Sequence, residues 1–163
     1  MSIQLFISVI FGVLFFVLFV FGIVEPAYLF FFKRPLFIHW YPFPKKIKTS
    51  QRQVLEDNFP FYKRLSVKRK IYFEHRLKVF IANYQFVGKG VDITEQMEVL
   101  IAGTYVMLTF GMRDYLVRLF DKIIIYPTSY FSTINQDYHK GEFNPRMKAV
   151  VFSWEDFMLG LET

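Results

Sequence analysis

An uncharged, apolar stretch near the N-terminus constrains this chain more than any other feature. Residues 5–24 contain no acidic or basic side chain and consist mainly of Phe, Val, Leu and Ile. A helix rises about 1.5 Å per residue, so roughly 20 residues cross the ~30 Å hydrocarbon layer of a bilayer. A cleavable signal peptide would need an early basic residue, and none precedes Lys33. A buried soluble helix is the other alternative. We predict an uncleaved anchor over residues 1–26, with residues 5–24 in the membrane.

Basic residues follow this anchor and predict both its orientation and a partner. Residues 25–78 hold thirteen Lys or Arg against four acids, whereas residues 79–163 hold seven against ten. Because basic flanks stay on the cytoplasmic side, we expect a single-pass protein whose body faces the cytoplasm. Residues 33–48 should attract anionic lipid. Nucleic acid is the competing partner for a basic segment, but bases scattered among Pro and Phe beside an anchor favour lipid, so no nucleic-acid partner is expected.

The rest of the chain divides into a linker and a body. Residues 27–56 read as a basic juxtamembrane linker, because Pro35, Pro42 and Pro44 oppose a long helix there. Residues 57–163 have the apolar patterning of a globular domain. Cys is absent, which excludes disulfides and thiolate chemistry.

Helices are predicted in the first part of the body. A short helical turn should follow Phe59, and Ser66 should cap a longer amphipathic helix that extends to about Tyr84. Thr94 should cap a helix that is apolar on nearly every side from Met97 to Phe110 and is therefore buried. Gly111 is placed to end that helix, and a short helix is expected over residues 114–120.

Strands are predicted in the second part. Residues 123–126 are a β-branched run stopped by Pro127, and residues 149–153 form a second apolar run. Residues 86–87 should be briefly extended. Residues 128–146 look like a long loop, with a strand near residues 130–132. The fold class is therefore α+β.

No residue set in the sequence has the pattern of a catalytic site. Gly88 and Gly90 lack the remainder of a phosphate-binding loop. His39, His75 and His139 are far apart in sequence and each is expected at the surface rather than in a zinc site. Adjacent carboxylates, such as Glu155 and Asp156, point about 100° apart on a helix and do not form an acid–base pair. We therefore expect no catalytic and no metal-binding residue in this chain.

The order of the motifs resembles the Mlc titration factor A family of zinc metallopeptidases. The resemblance rests on the helix opening at residues 94–97 (TEQM), the strand at 123–127 (IIIYP) and the segment at 151–154 (VFSW) with Asp156. It covers residues 59–160. It implies a zincin-like peptidase domain whose H-E-x-x-H zinc helix would follow the last of these segments, so that residues 57–163 are a partial domain.

This resemblance implies a function that the chain would not perform alone. Zinc is expected for the complete domain, with a peptide or protein as its substrate, and no zinc ligand lies in these 163 residues. By analogy with zincin folds, residues Ala149, Val150, Val151, Phe152 and Ser153 could form a strand at the rim of the substrate site. Two alternatives remain open: a non-enzymatic, membrane-anchored interaction module, and a basic adaptor that binds lipid surfaces.

Overall fold

The computed structural model describes residues 3–132 and 136–162. Residues 1–2, 133–135 and 163, which fall in the predicted anchor, the predicted loop and the predicted body, lie outside the described residues. The chain forms two compact units that divide between Trp40 and Tyr41. The helices are α1 (Ile3–Phe19), α2 (Glu25–Phe32), α3 (Thr49–Asn58), α4 (Pro60–Lys63), α5 (Val67–Asn83), α6 (Glu95–Thr109) and α7 (Trp154–Glu162). The strands are β1 (Gln85–Gly88), β2 (Lys122–Tyr126), β3 (Tyr130–Ser132), β4 (Asp137–His139), β5 (Gly141–Asn144) and β6 (Ala149–Ser153).

The first unit contains one helix that is long and apolar enough to cross a membrane. It runs from Ile3 to Phe32 and none of its most apolar window is buried within the protein. The helix is longer than the sequence pattern indicates, because it continues past Pro26. A π-helical turn at Val20–Val24 precedes that proline, and the Glu25 N–H bonds to the carbonyl of Val20. This wider turn leaves room for a ring that would otherwise clash with the preceding turn. Lys33, with a φ of 54°, ends the helix.

Two helices of the second unit, α5 and α6, begin where the capping residues predict. The Ser66 hydroxyl accepts a hydrogen bond from the Arg69 N–H at 3.4 Å, and the Thr94 hydroxyl accepts one from the Met97 N–H at 3.2 Å. Helix α6 is the buried centre of the body, as predicted. It packs against α3 and α5 through a core that includes Leu55, Phe80 and Leu100.

A four-stranded sheet follows in the order β1-β2-β6-β5. Strands β1, β2 and β6 are parallel, and β5 runs antiparallel to β6 at one edge. The side chains of Ile123 and Ile125 join the helical core, whereas Ile124 packs with Tyr130 on the opposite face. A separate hairpin of β3 and β4 supplies Tyr130. The combination of helices with a mixed sheet confirms a mixed helix-and-sheet fold. The zincin-like form of the predicted α+β domain stays a prediction.

The helix predicted over residues 114–120 is wrong. This segment is irregular because tyrosine hydroxyls satisfy its backbone. The Val117 N–H bonds to the Tyr105 hydroxyl at 3.0 Å, and the Val117 carbonyl accepts from the Tyr84 hydroxyl at 2.8 Å. Gly111 directly follows Phe110, the C-cap of α6, as predicted, but its φ is not positive, so it does not end the helix through a left-handed conformation. The buried guanidinium of Arg76 donates to the carbonyls at the end of α6 instead.

The predicted linker and loop contain more regular structure than their sequences indicate. Helix α3 begins at Thr49, inside the range 27–56, and Ile47 is already part of the core. The predicted strand near residues 130–132 is present as β3. Strands β4 and β5, which the sequence pattern does not indicate, lie in the predicted loop over residues 128–146. The division of the chain into residues 1–26, 27–56 and 57–163 stays a prediction.

Candidate functional site at the sheet edge

The strand predicted at the substrate rim lies inside the sheet. Residues Ala149–Ser153 form β6, which is hydrogen-bonded to β2 on one side and to β5 on the other. In the part of the chain that the structure describes, the outer side of β5 has no strand partner. A free strand edge offers backbone N–H and carbonyl groups to an extended peptide. Whether these residues contribute to a substrate rim stays a prediction.

The junction between β6 and α7 is fixed by hydrogen bonds. The Ser153 hydroxyl accepts a hydrogen bond from the Asp156 N–H at 3.2 Å and thereby caps α7. The Ser153 N–H donates to the carbonyl of Lys140 at 2.8 Å, and the Glu155 N–H donates to the carbonyl of Pro127 at 3.1 Å. The edge of the sheet and the first turn of α7 therefore hold each other in place.

Asp156 is engaged in an ion pair at this junction. Its carboxylate lies 2.8 Å from the Lys140 ammonium and accepts a hydrogen bond from the Ser129 hydroxyl at 3.3 Å. The bond from Lys140 is the main reason that the pKa of Asp156 lies below its usual value, and the cap at Ser153 lowers that pKa further. A carboxylate with a depressed pKa is a weak base, so Asp156 is suited to positioning α7 rather than to proton transfer.

An open cleft of about 540 Å³ lies between the β5–β6 edge and α7. It is lined mainly by small and apolar groups, with Lys140 and Asp156 as its charged members. Its lining residues are Lys140, Gly141, Phe152, Ser153, Asp156, Phe157, Leu159 and Gly160. The cleft contains no nucleophile paired with a base. Its lining residues supply a strand edge and an apolar wall.

Sequence reasoning missed strand β5 at this edge and Lys140, the residue that precedes it. Lys140 and Glu142 lie in the segment read as a loop. Glu142 accepts a hydrogen bond from the Ser132 hydroxyl at 2.7 Å, which links β5 to the hairpin. Gly141 and Pro145 lie on either side of a three-residue run, and these two turn-forming residues are the signal that could have indicated a short strand.

The three histidines do not form a metal site. Each is half-buried, so part of each side chain lies at the surface. His75 accepts a hydrogen bond from the Lys45 N–H at 2.9 Å, whereas Nε2 of His139 is buried without a hydrogen-bond partner. Among the described residues, no group of three or more His, Asp or Glu side chains is placed to hold a metal ion. The residues present therefore do not fit a zinc centre.

Comparison with known proteins identifies the family. The sequence profile of the glucose-regulated metallo-peptidase M90 family matches residues 41–162, which is most of the chain and the whole of the second unit up to Glu162. The chain belongs to this family of metallopeptidases, which confirms the resemblance drawn from its motifs.

A relative from Synechocystis sp. is also similar. The protein, described as uncharacterized protein slr2042, is 30% identical over 102 residues. The matched region is 61% of this chain but only 32% of the relative. The chain thus spans about a third of the length of the curated relative that it matches.

Proposed function

We propose that this chain provides the membrane-anchored scaffold of an M90-type metallopeptidase domain, with the zinc-binding residues supplied outside the described segment. The observation that carries the proposal is the family match to residues 41–162, combined with the lack of a metal-holding group among the residues that the structure describes. Residues 57–163 then form the front part of a zincin-like domain. Zinc would be the cofactor of the complete domain.

The open edge of the sheet supports a peptide or protein as the substrate of the complete domain. Strand β5 lies next to β6, and an extended peptide could continue this sheet by pairing along the outer side of β5. The predicted rim residues Ala149–Ser153 would then lie one strand away from the peptide. Their role would be to hold β5 and the first turn of α7 in place. Because no nucleophile, base or metal set converges among the residues that the structure describes, we infer that the chain does not hydrolyse peptides alone.

Hydrolysis by the purified chain tests that inference. The full chain, purified in detergent with added zinc, should release no more fluorescence from a quenched casein substrate than buffer does. Zinc-dependent hydrolysis that co-purifies with the chain and stops on chelation would contradict the proposal.

The helix Ile3–Phe32 supports membrane anchoring, and the basic residues after it support a cytoplasmic body and attraction to anionic lipid near residues 33–48. A Lys in the middle of a span costs about 3 kcal/mol, so Val13→Lys should lower the fraction of the chain that stays in the alkali-resistant membrane pellet. Val13→Leu is the matched control.

Since the chain has no Cys, Lys89→Cys provides one exposed thiol. An impermeant maleimide should label this thiol only after the cells are opened; labelling of intact cells would contradict the orientation.

A non-enzymatic interaction module is the second candidate, and one observation favours it. Phe131 and Tyr138 form an exposed aromatic pair on the β3–β4 hairpin, with ring centroids 5.6 Å apart. Exposed aromatic side chains are common at protein interfaces. This candidate predicts that Phe131→Ser reduces capture of a protein partner, and that the chain shows neither zinc binding nor peptidase activity.

A further inference from the structure

A strap of residues 41–48 crosses α5 and presents a fixed, exposed aromatic side chain. Phe43 is 90% exposed, although the backbone on either side of it is attached to the body. Before Phe43, the Tyr41 hydroxyl accepts a hydrogen bond from Nε of Arg76 at 2.7 Å. After it, the Lys45 N–H donates to Nδ1 of His75 at 2.9 Å. Pro42 and Pro44 stiffen the segment between these attachments, so Phe43 projects from a rigid support.

Apolar side chains on α5 extend this exposed surface. Val67 and Ile71 are 80% and 43% exposed. They precede His75 by eight and four residues, so all three lie on one face of the helix. The strap contacts that same face, since the Tyr41 ring lies 4.1 Å from the His75 ring. Together Phe43, Val67 and Ile71 form what we call the strap face.

Cations surround the strap face, and the nearby acids are engaged elsewhere. Lys45, Lys46 and Lys68 are exposed, and none of them forms an ion pair with another described residue. The Lys68 ammonium lies 6.0 Å from the ring of Tyr72, which itself touches Tyr41. Three acids of neighbouring helices form ion pairs: Glu56 with Lys70, Glu74 with Arg52, and Glu95 with Lys48. The Asp57 carboxylate accepts a hydrogen bond from the Gln53 amide at 2.9 Å. The strap face is therefore apolar at its centre and positive at its border.

We propose that the strap face binds the anionic surface of the membrane that holds the N-terminal helix. This inference rests on the proposed anchoring. Eight residues separate Phe32, the last residue of α2, from Tyr41. A chain of that length reaches at most about 30 Å, so Tyr41 lies within that distance of the last residue of the helix. Aromatic side chains favour the headgroup region and lysines favour anionic lipid, and the strap face offers both.

Tryptophan quenching by brominated lipid tests the proposal on the full chain. The background is Trp40→Phe, in which Trp154 gives a constant signal, and the probe is Phe43→Trp. In vesicles of brominated phosphatidylcholine mixed with phosphatidylglycerol, emission from position 43 should be quenched. Tyr138→Trp, at a position 71% exposed on the β3–β4 hairpin, is the matched control and should not be quenched. Leu14→Trp reports insertion of the anchor.

Charge variants separate docking from anchoring. Each Lys near an anionic surface contributes about fivefold to the ratio of docked to undocked molecules. Lys46→Gln and Lys68→Gln should each lower that ratio by about this factor, and Lys89→Gln should not. Added salt should weaken quenching at position 43 but not at position 14.

Each outcome decides the proposal. Quenching at position 14 without quenching at position 43 overturns docking and leaves the anchoring intact, whereas no quenching at either position overturns both. Equal quenching at position 43 in pure phosphatidylcholine, unaffected by Lys46→Gln, overturns the role of anionic lipid. If the tryptophan at position 43 is already shielded from solvent in the absence of lipid, the strap face is assigned to a protein partner instead.

Discussion

Arg76 is a buried cation whose partners include backbone carbonyls. Its side chain is fully buried, and it donates to the carbonyl of Thr109 at 2.9 Å and to that of Met112 at 2.7 Å. Its guanidinium also lies 4.3 Å from the centroid of the Tyr115 ring. The residue thus ends α6 and, through Tyr41, holds the strap. The burial of Arg76 could not be predicted from the sequence, because periodicity records the side of a helix but not which partners will cover it.

Glu74 is the centre of a second buried network. Its carboxylate accepts from the Tyr62 hydroxyl at 2.6 Å and from two nitrogens of Arg52 at 2.8 and 2.9 Å. Burial opposes its ionisation, but the bonds from Arg52 and Tyr62 outweigh burial and hold its pKa below the usual 4.5. The same burial is the main reason that the pKa of Tyr62 is raised.

The depressed pKa of Glu74 predicts an acid-dependent loss of stability. A lowered folded-state pKa stabilises the fold above the unfolded-state pKa, and this contribution disappears as the pH falls below about 4.5 through the folded-state value. Glu74→Gln should cost about 1–2 kcal/mol at neutral pH, because the charged acceptor is lost. The variant should also depend less on pH between 6 and 3. Thermal unfolding in detergent, with Glu155→Gln as the exposed control, measures both. Parallel pH profiles for the wild type and Glu74→Gln would refute this account.

At the scale of elements, the helices and strands that could be predicted are those whose own residues contain a cap, a turn residue or a continuous apolar run. Helix α6 has a capping Thr94 and a continuous apolar run, and β2 has three consecutive isoleucines before Pro127. Strand β5 has only four residues and depends on its pairing with β6, so its local pattern is weak. The segment 114–120 depends on the hydroxyls of Tyr84 and Tyr105, which lie far away in sequence.

The candidate site could be predicted only in part, for the same reason. Ser153 as the cap of α7 follows from local sequence, because Asp156 comes three residues later. The ion pair between Lys140 and Asp156 depends on the return of the chain through β5, which no local pattern indicates. The free edge of β5 is likewise a property of the sheet order, and it becomes visible only when all four strands are placed.

The end of β1 requires glycine because two backbone segments approach there. A Cβ atom on Gly88 would lie 1.9 Å from the carbonyl oxygen of Val91, so the backbone would have to move. Gly88→Ala should therefore destabilise the protein by about 2–3 kcal/mol. A Cβ atom on Gly111 would meet nothing within 4 Å, so Gly111→Ala should be neutral or slightly stabilising. Denaturant unfolding of both variants provides the comparison; equal stability of the two would contradict it.

At the scale of the whole molecule, the two units differ in composition and in the kind of structure that they form. The first unit contains an apolar helix with no charge between Ile3 and Val24, and the second contains the family region with its core, sheet edge and cleft. The basic residues lie mainly before residue 79, in the connection and in the first helices of the body. This distribution is what a domain held close to an anionic surface requires, with the sheet edge formed by the later, mildly acidic part of the chain.

The zinc content of the chain tests the central claim most directly. The full 163-residue chain, purified in detergent, is dialysed against buffered zinc, and bound metal is measured by mass spectrometry. We predict well below one zinc per chain, with no change for His75→Gln or His139→Gln, because no set of ligands converges among the described residues. One tightly held zinc per chain, lost in either histidine variant, would contradict the claim that these residues supply scaffold and anchor but not the metal centre.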